Sequence, residues 1–92
     1  MDGEADIASV AAAIGHPARG RMLTAMLGGR SLPATDLARA ARVSRSTASA
    51  HIAQLTASGL VVVERRGRHR FHRLADERVA EAIERLAAIA PA

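Results

Sequence analysis

Residues 34–58, with the sequence ATDLARAARVSRSTASAHIAQLTAS, decide the fold of this chain. Apolar residues recur at helical spacing over 34–41, which predicts a short helix whose inward side is Leu37, Ala38 and Ala41. Ser44 is a favourable N-cap for a second helix that runs to about Ser58 and stops at Gly59. The inward residues of this second helix are Ala48, Ile52 and Leu55. Two short helices joined by a tight turn form a helix-turn-helix pattern.

A basic β-hairpin is predicted directly after these two helices. Val61-Val62-Val63 has strand composition, and a second strand from about His69 to Leu74 pairs back across Arg66-Gly67-Arg68. The helices at 34–58 and the hairpin at 61–74 together predict a winged helix-turn-helix, in which the hairpin is the wing.

Three further helices complete the prediction. The first spans residues 5–14, and a second begins at Pro17 and stops at Gly28-Gly29. Ser31-Leu32-Pro33 forms an extended connector, and Asp76 caps a last helix over 76–90 that Pro91 closes. The expected fold class is therefore mainly α with a small β-hairpin: one winged helix-turn-helix domain over residues 1–92, with about five helices.

The composition predicts a thin core. The chain has 92 residues, of which 22 are alanine and one, Phe71, is aromatic. Because alanines bury little area and small domains are marginally stable alone, we expect a second copy of the chain to complete the fold. The apolar residues of the first and last helices are the predicted dimer interface: Ile7, Val10, Ile14, Val79, Ile83 and Leu86.

Positive charge is concentrated in the middle of the chain. The formal net charge is +4, and every basic residue is arginine. Residues 39–73 hold eight arginines against Glu64 alone, whereas residues 1–38 and 74–92 are mildly acidic. A basic segment of this kind predicts a polyanionic partner, with phosphate as the usual source of attraction.

The outer face of the second motif helix is slim enough to enter a DNA groove about 12 Å wide, since nearly all its residues are small. Arg45 can reach guanine or phosphate, Ser46 and Ser49 can donate hydrogen bonds, and Ala50 can contact a thymine methyl group. Arginines at the hairpin tip suit the DNA backbone or a narrow minor groove. The predicted DNA-binding residues are Ser44, Arg45, Ser46, Thr47, Ser49, Ala50, Gln54, Arg65, Arg66 and Arg68.

Residues 14–75 resemble the ArsR/SmtB-like bacterial repressors. The stretch GHPARGRML at 15–23 resembles that family's D-P-x-R-x-x-I-L, and VSRSTASAHIAQL at 43–55 resembles its recognition helix, L-S-Q-S-T-V-S-x-H-L-x-x-L. SGLV at 58–61, RRGR at 65–68 and FHRL at 71–74 are similar to its wing. The resemblance implies a homodimer joined through the first and last helices that binds an inverted repeat in double-stranded DNA near a promoter.

The chain departs from this family at positions that matter. Metal-sensing members use cysteines in the motif or Asp and His ligands on the last helix, but this chain has no cysteine and no histidine in 76–90. We therefore expect no metal site and no cofactor. Arg42 stands in the turn where Gly is usual; if that residue must be left-handed, Arg costs about 1–2 kcal/mol and the turn differs locally. Ala50 replaces a frequent His, so base preference is not transferable.

Other functional classes find little support. Ser49 and His51 are two apart on a helix and do not face each other, so we expect no enzyme activity. His69 and His72 point to opposite faces of a strand, which makes them a poor ligand pair. No apolar run approaches the roughly 20 residues of a membrane helix, and the N-terminus lacks the basic start of a signal peptide. We expect a soluble, cytoplasmic protein without a membrane partner.

The function predicted from the sequence is a homodimeric, sequence-specific DNA-binding transcriptional regulator that acts as a repressor. Two alternatives stay open. One is a regulator that responds to a small-molecule inducer, sensed at the dimer interface or in a C-terminal domain beyond Ala90-Pro91-Ala92. The other is a winged-helix protein-interaction module that does not bind DNA.

Overall fold

A computed structural model describes residues 6–91 and contains the predicted five helices and hairpin. The elements are α1 (Ile7–Ile14), α2 (Pro17–Ala25), α3 (Ala34–Ala41), α4 (Arg45–Ala57), β1 (Val61–Arg66), β2 (His69–Leu74) and α5 (Glu77–Ile89). Residue 5, where the first helix was predicted to start, lies outside the described residues. Within the described part of the chain, no helix is both long and apolar enough to cross a membrane.

Side-chain caps set where the helices begin. The backbone amide of Thr47 donates to Ser44 Oγ at 3.1 Å, so α4 starts at the predicted cap. The amide of Val79 likewise donates to Asp76 Oδ1 at 3.0 Å at the start of α5. Each cap satisfies one of the amides that a helix N-terminus leaves without an intrahelical partner.

The turn between α3 and α4 contains a left-handed residue, Arg42, at the position where the sequence analysis considered that conformation. Arg42 has φ 61° and ψ 43°, and within the described residues it is the only non-glycine with positive φ. The amide of Val43 donates to Ala38 O at 3.1 Å, and Arg21 Nη1 donates to Ala41 O at 3.3 Å. Arg42 therefore occupies a left-handed position that penalises a residue with a Cβ atom, and the turn is strained there.

The core lies between α2, α3, α4 and the start of β1. Its fully buried large side chains are Met22, Leu23, Met26, Leu37, Leu55 and Val61. Ala38, Ala41 and Ala48 are also buried, and such small residues let α3 and α4 pack closely. This packing fixes the position of α4 on the body of the domain.

The hairpin is attached to the body through His72. Strands β1 and β2 are antiparallel, with Val61 opposite Leu74 and Arg66 opposite His69. The predicted extended connector pairs with this hairpin: the amide of His72 donates to Leu32 O at 2.8 Å, and the amide of Leu32 donates to His72 O at 2.9 Å. The imidazole Nδ1 of His72 also lies 3.0 Å from Leu32 O, and the side chain is buried. His69 and His72 occupy opposite faces, as predicted.

We expect Arg42→Gly to raise the free energy of unfolding by about 1 kcal/mol, because glycine adopts positive φ without the steric penalty of a Cβ atom. Urea unfolding followed by circular dichroism measures the change. Arg39→Gly is the matched control: Arg39 lies inside α3, where the same replacement should lower the free energy of unfolding by about 1 kcal/mol. An Arg42→Gly variant no more stable than the wild type would contradict the strain assigned to this turn.

Candidate nucleic-acid interface

Helix α4 presents its small and polar residues to solvent. Ala48, Ile52 and Leu55 are buried against the core, so the opposite face of the helix is free. All the predicted DNA-binding residues of this segment are exposed: Ser44, Arg45, Ser46, Thr47, Ser49, Ala50 and Gln54. The helix thus projects a face on which Arg45 is the one long side chain near the N-terminal end.

A hydroxyl cluster surrounds the N-terminus of α4. Ser44 Oγ lies 3.2 Å from Ser46 Oγ, and it donates to Thr47 Oγ1 at 3.0 Å while it accepts the Thr47 amide. Ser44 is therefore committed to capping, whereas Ser46 and Thr47 keep hydrogen-bonding capacity on the exposed side. A helix N-terminus of this kind attracts phosphate through its dipole and its free amides.

A groove of about 890 Å³ separates α4 from the hairpin. Arg45 and Ser49 of α4 form one wall, and Arg68 and Arg70 of the hairpin form the other. Among the described residues that line this groove, none is acidic. The groove therefore combines polar hydrogen-bond donors with three guanidinium groups and has no carboxylate to offset them.

The strand register identifies Arg70 as a residue that the sequence prediction missed. Arg65 and Arg70 lie directly opposite each other, on the face that also carries His72 and Leu74. Like charges at such positions destabilise a hairpin by about 0.2–1 kcal/mol unless something neutralises them. The alternation of Arg70 and His72 along β2 contained this information. A phosphate between the two guanidinium groups would remove their repulsion.

Arg66 differs from its basic neighbours. Its Nη2 lies 3.3 Å from Glu64 Oε1, and its guanidinium stacks over the ring of Phe71 at 4.7 Å from the centroid. Both partners lie on the face of the hairpin opposite to Arg65 and Arg70. The structure thus separates Arg66 from Arg65, with which the sequence had grouped it.

Glu64, the one acid of the basic segment, is held by several donors. Arg73 Nε donates to Glu64 Oε2 at 2.7 Å, and Ser31 Oγ donates to Oε1 at 3.0 Å. The Arg73 hydrogen bond, followed by the one from Ser31, lowers the pKa of this carboxyl below its ordinary value. Glu64 therefore stays ionised but neutralises charge only on its own face. Across the described residues of the basic segment, the arginines without an ion-pair partner are Arg42, Arg45, Arg65, Arg68 and Arg70.

A second surface, formed by α1 and α5, is apolar. The most exposed large hydrophobic side chains of the described chain all lie on these two helices: Ile7 is 73% exposed, Val10 44%, Leu86 45% and Ile89 82%. Ile14 and Val79 are partly buried against the core. Ile83, in contrast, is only 8% exposed and packs in the core of its own subunit, and its place at the dimer interface stays a prediction. The sequence prediction omitted Ile89, which lies three residues beyond Leu86 on the same side of α5.

Comparisons with known proteins agree with this geometry. A model of the helix-turn-helix domain family matches residues 14–64. The uncharacterized HTH-type transcriptional regulator YdfF of Bacillus subtilis (strain 168) is 41% identical over 86 residues, which are 94% of this chain. The chain spans only 38% of the length of that curated relative.

Solved structures show the same fold. The homodimeric winged helix-turn-helix DNA-binding domain of Mb0332 from Mycobacterium bovis, a possible ArsR-family transcriptional regulator, superimposes with a TM-score of 0.81 at 26% identity. That match covers 97% of this chain and 89% of the other. The cadmium metal-sensor CMTR from Mycobacterium tuberculosis has a TM-score of 0.74 at 35% identity and covers 92% of this chain and 88% of its own.

Proposed function

The chain belongs to the ArsR-like winged helix-turn-helix family of transcriptional regulators, and from that premise we propose that it binds specific sites in double-stranded DNA as a homodimer and represses transcription. The homologues and the fold are those of transcriptional regulators, which are not enzymes. One observation carries the DNA-binding proposal: the groove between α4 and the hairpin contains Arg45, Arg68 and Arg70, and none of its described lining residues is acidic.

In this proposal, α4 enters the major groove. Its exposed face is slim, so Arg45, Ser46 and Ser49 can approach base edges without a clash. Arg45 suits guanine O6 and N7, which accept two hydrogen bonds from one guanidinium group. Thr47, Ala50 and Gln54 border the same face and would contact bases or the adjoining backbone.

The hairpin would contact the phosphate backbone. Arg65, Arg68 and Arg70 are exposed and have no ion-pair partner in the described structure, so their charge is available to an anion. Arg66 would contribute less, because contact with DNA competes with its bonds to Glu64 and its stacking on Phe71. Such contacts supply salt-dependent affinity through counterion release.

The homodimer proposal rests on the uncovered apolar face of α1 and α5. Of the 13 residues of α5, Ile83 alone is buried, and in α1 only Ala13 is buried. Two apolar grooves flank Leu86, one of about 700 Å³ toward α2 and one of about 340 Å³ toward α1. A second copy of the chain would cover these side chains, and Mb0332 is itself homodimeric. Repression then follows from occupancy, because a dimer bound across promoter DNA excludes other proteins.

A regulator that responds to a small molecule is the second candidate. The observation in its favour is the groove toward α1, which Val10, Ile14, Val79 and Leu86 line with apolar surface. An apolar effector bound there would compete with dimerisation.

The cytoplasmic location expected from the sequence stays a prediction.

Selection of duplexes from a random pool is the direct test of the function. We expect an inverted repeat with half-sites about one DNA turn apart, 34–36 Å, because a two-fold dimer places two α4 helices on one side of the duplex. A salt titration on duplex DNA accompanies the selection. Absence of binding even at low salt would instead support a winged-helix protein-interaction module.

Arg45→Ala is expected to weaken binding to the selected site by about 1–3 kcal/mol and to leave random-sequence affinity much less affected, because the lost contacts are to base edges. Arg70→Gln is the matched control: it should weaken both DNAs alike and reduce the slope of log affinity against log salt by about one. Fluorescence anisotropy at several salt concentrations measures both effects. Equal losses on both DNAs for Arg45→Ala would contradict its role in specificity.

Leu86→Glu is expected to shift the chain from dimer to monomer, because it would bury a carboxylate in the apolar seam. Ala88→Glu adds the same charge at another exposed position of α5 and should leave the dimer intact. Analytical ultracentrifugation measures the mass of each variant. A dimer unaffected by Leu86→Glu would place the subunit contact elsewhere and leave the flanking grooves open to a small-molecule effector.

A further inference from the structure

Two histidines and an arginine meet where α1, α2 and α4 join. The rings of His16 and His51 lie 4.4 Å apart between centroids, and Arg19 Nη1 lies 3.1 Å from His51 Nδ1. His16 precedes α2, Arg19 lies within α2, and His51 lies on α4. The DNA-contact proposal uses neither histidine.

Both histidines accept hydrogen bonds through Nδ1. The amide of Ala18 donates to His16 Nδ1 at 3.1 Å, which caps α2. Arg19 Nη1 is the donor toward His51 Nδ1, because a guanidinium group has no lone pair to accept with. A protonated imidazole carries hydrogen on both nitrogens, so protonation of His51 abolishes its bond from Arg19.

Arg19 also holds α1. Its Nε donates to Ala13 O, and its Nη2 donates to Ala12 O at 3.1 Å. These carbonyls belong to the last turn of α1, which carries no basic residue of its own. Arg19 therefore caps α1 and reaches α4 with the same guanidinium group, so it links the apolar dimer face to the DNA-binding helix.

No described anion offsets positive charge at this junction. The charged or titratable groups that face His51 are His16 and Arg19 from α2. Helix α1 presents backbone carbonyls there, and its cap Asp6 is at the far end, where it accepts the Ser9 amide. On α4 itself, the one charged residue is Arg45, which is the first residue of the helix.

The charges at the junction disfavour the cationic form of His51. Partial burial, followed by repulsion from His16 and Arg19, lowers the pKa of His51 below its ordinary value. The unfolded chain then binds a proton at this histidine more readily than the folded chain does. Neutral His51 therefore contributes fully to the free energy of unfolding above the ordinary histidine pKa of about 6.5, and this contribution is lost as the pH falls below that value.

We propose that the His16–Arg19–His51 junction positions α4 for DNA binding and that protonation of His51 releases it, so that acid weakens DNA binding. This inference rests on the proposed DNA-binding function. A neutral His51 accepts the bond from Arg19 and so ties α4 to α2. A protonated His51 cannot accept that bond and places its own positive charge against the Arg19 guanidinium group. Arg19 is a positioning residue here, since it acts on DNA only through α4.

The proposal predicts the opposite of the simple electrostatic trend. Protonation of surface histidines adds positive charge and strengthens attraction to phosphate. His69 lines the groove beside Arg68 and Arg70, outside the junction. A decline in affinity on acidification therefore points to the junction and not to general electrostatics.

The test replaces both histidines with residues that keep the hydrogen bonds but do not titrate. In His51→Gln the side-chain oxygen still accepts from Arg19, and in His16→Asn the side chain is a good N-cap. Between about pH 7.5 and pH 5.5 we expect wild-type affinity for duplex DNA to fall about fivefold or more, the range of ordinary allosteric coupling. The double variant should show no decline, and its urea midpoint should vary less with pH than that of the wild type.

His69→Gln serves as the control, because it removes a histidine outside the junction and should retain the acid-dependent loss. Wild-type affinity that rises or stays level on acidification overturns the proposal, as does a double variant as acid-sensitive as the wild type. Unfolding is measured without DNA, so it tests the junction even if binding at about pH 7.5 is absent, a result that would refute the proposed function instead.

Discussion

The close packing of alanines between α3 and α4 is the constraint on which the other features of this domain depend. Ala38, Ala41 and Ala48 bury little surface each, but they let the two motif helices approach without large side chains between them. The outer face of α4 also consists mostly of small side chains, which leave room for the wall of a DNA groove. A core of this kind has few large side chains, most of them on α2, α3 and α4. The terminal helices consequently lie at its margin, with their larger apolar residues uncovered.

Charge is segregated by the pleat of the hairpin. Glu64 lies on one face and forms ion pairs with Arg66 and Arg73 there, whereas Arg65 and Arg70 lie on the other face without a carboxylate among the described residues. The single acid of a strongly basic segment thus stabilises the hairpin without reducing the positive potential of the groove beside α4. The formal charge of the segment does not reveal this, because it counts Glu64 and all eight arginines as if they shared one surface.

Local physics explains what the sequence predicted well. The elements and their order were predicted from helical periodicity, the Ser44 and Asp76 caps and the valine run. The resemblance indicated that Arg42 stands where Gly is usual, and Arg42 is left-handed in the structure. The features that were missed depend on contacts between distant residues. The Leu32–His72 bridge joins residues 40 apart, and the Arg19–His51 bond joins residues 32 apart. Burial of Ile83 was missed for the same reason, since periodicity identifies an apolar stripe but not the surface that covers it.

The weak burial of α1 gives its polar attachment unusual weight. Ala13 is the only buried residue of α1 and Ile14 is partly buried, so few CH₂ groups of this helix are removed from water. Each buried CH₂ group contributes about 0.8 kcal/mol to stability. A hydrogen bond from a charged donor contributes about 1.5–3 kcal/mol, and Arg19 makes two to the last turn of α1. The polar and apolar contributions are therefore comparable, so loss of the Arg19 contacts is enough to loosen the helix. A large core would hold α1 regardless of the charge state of its neighbours. In this thin core, one guanidinium group both attaches the last turn of α1 and contacts His51 of α4.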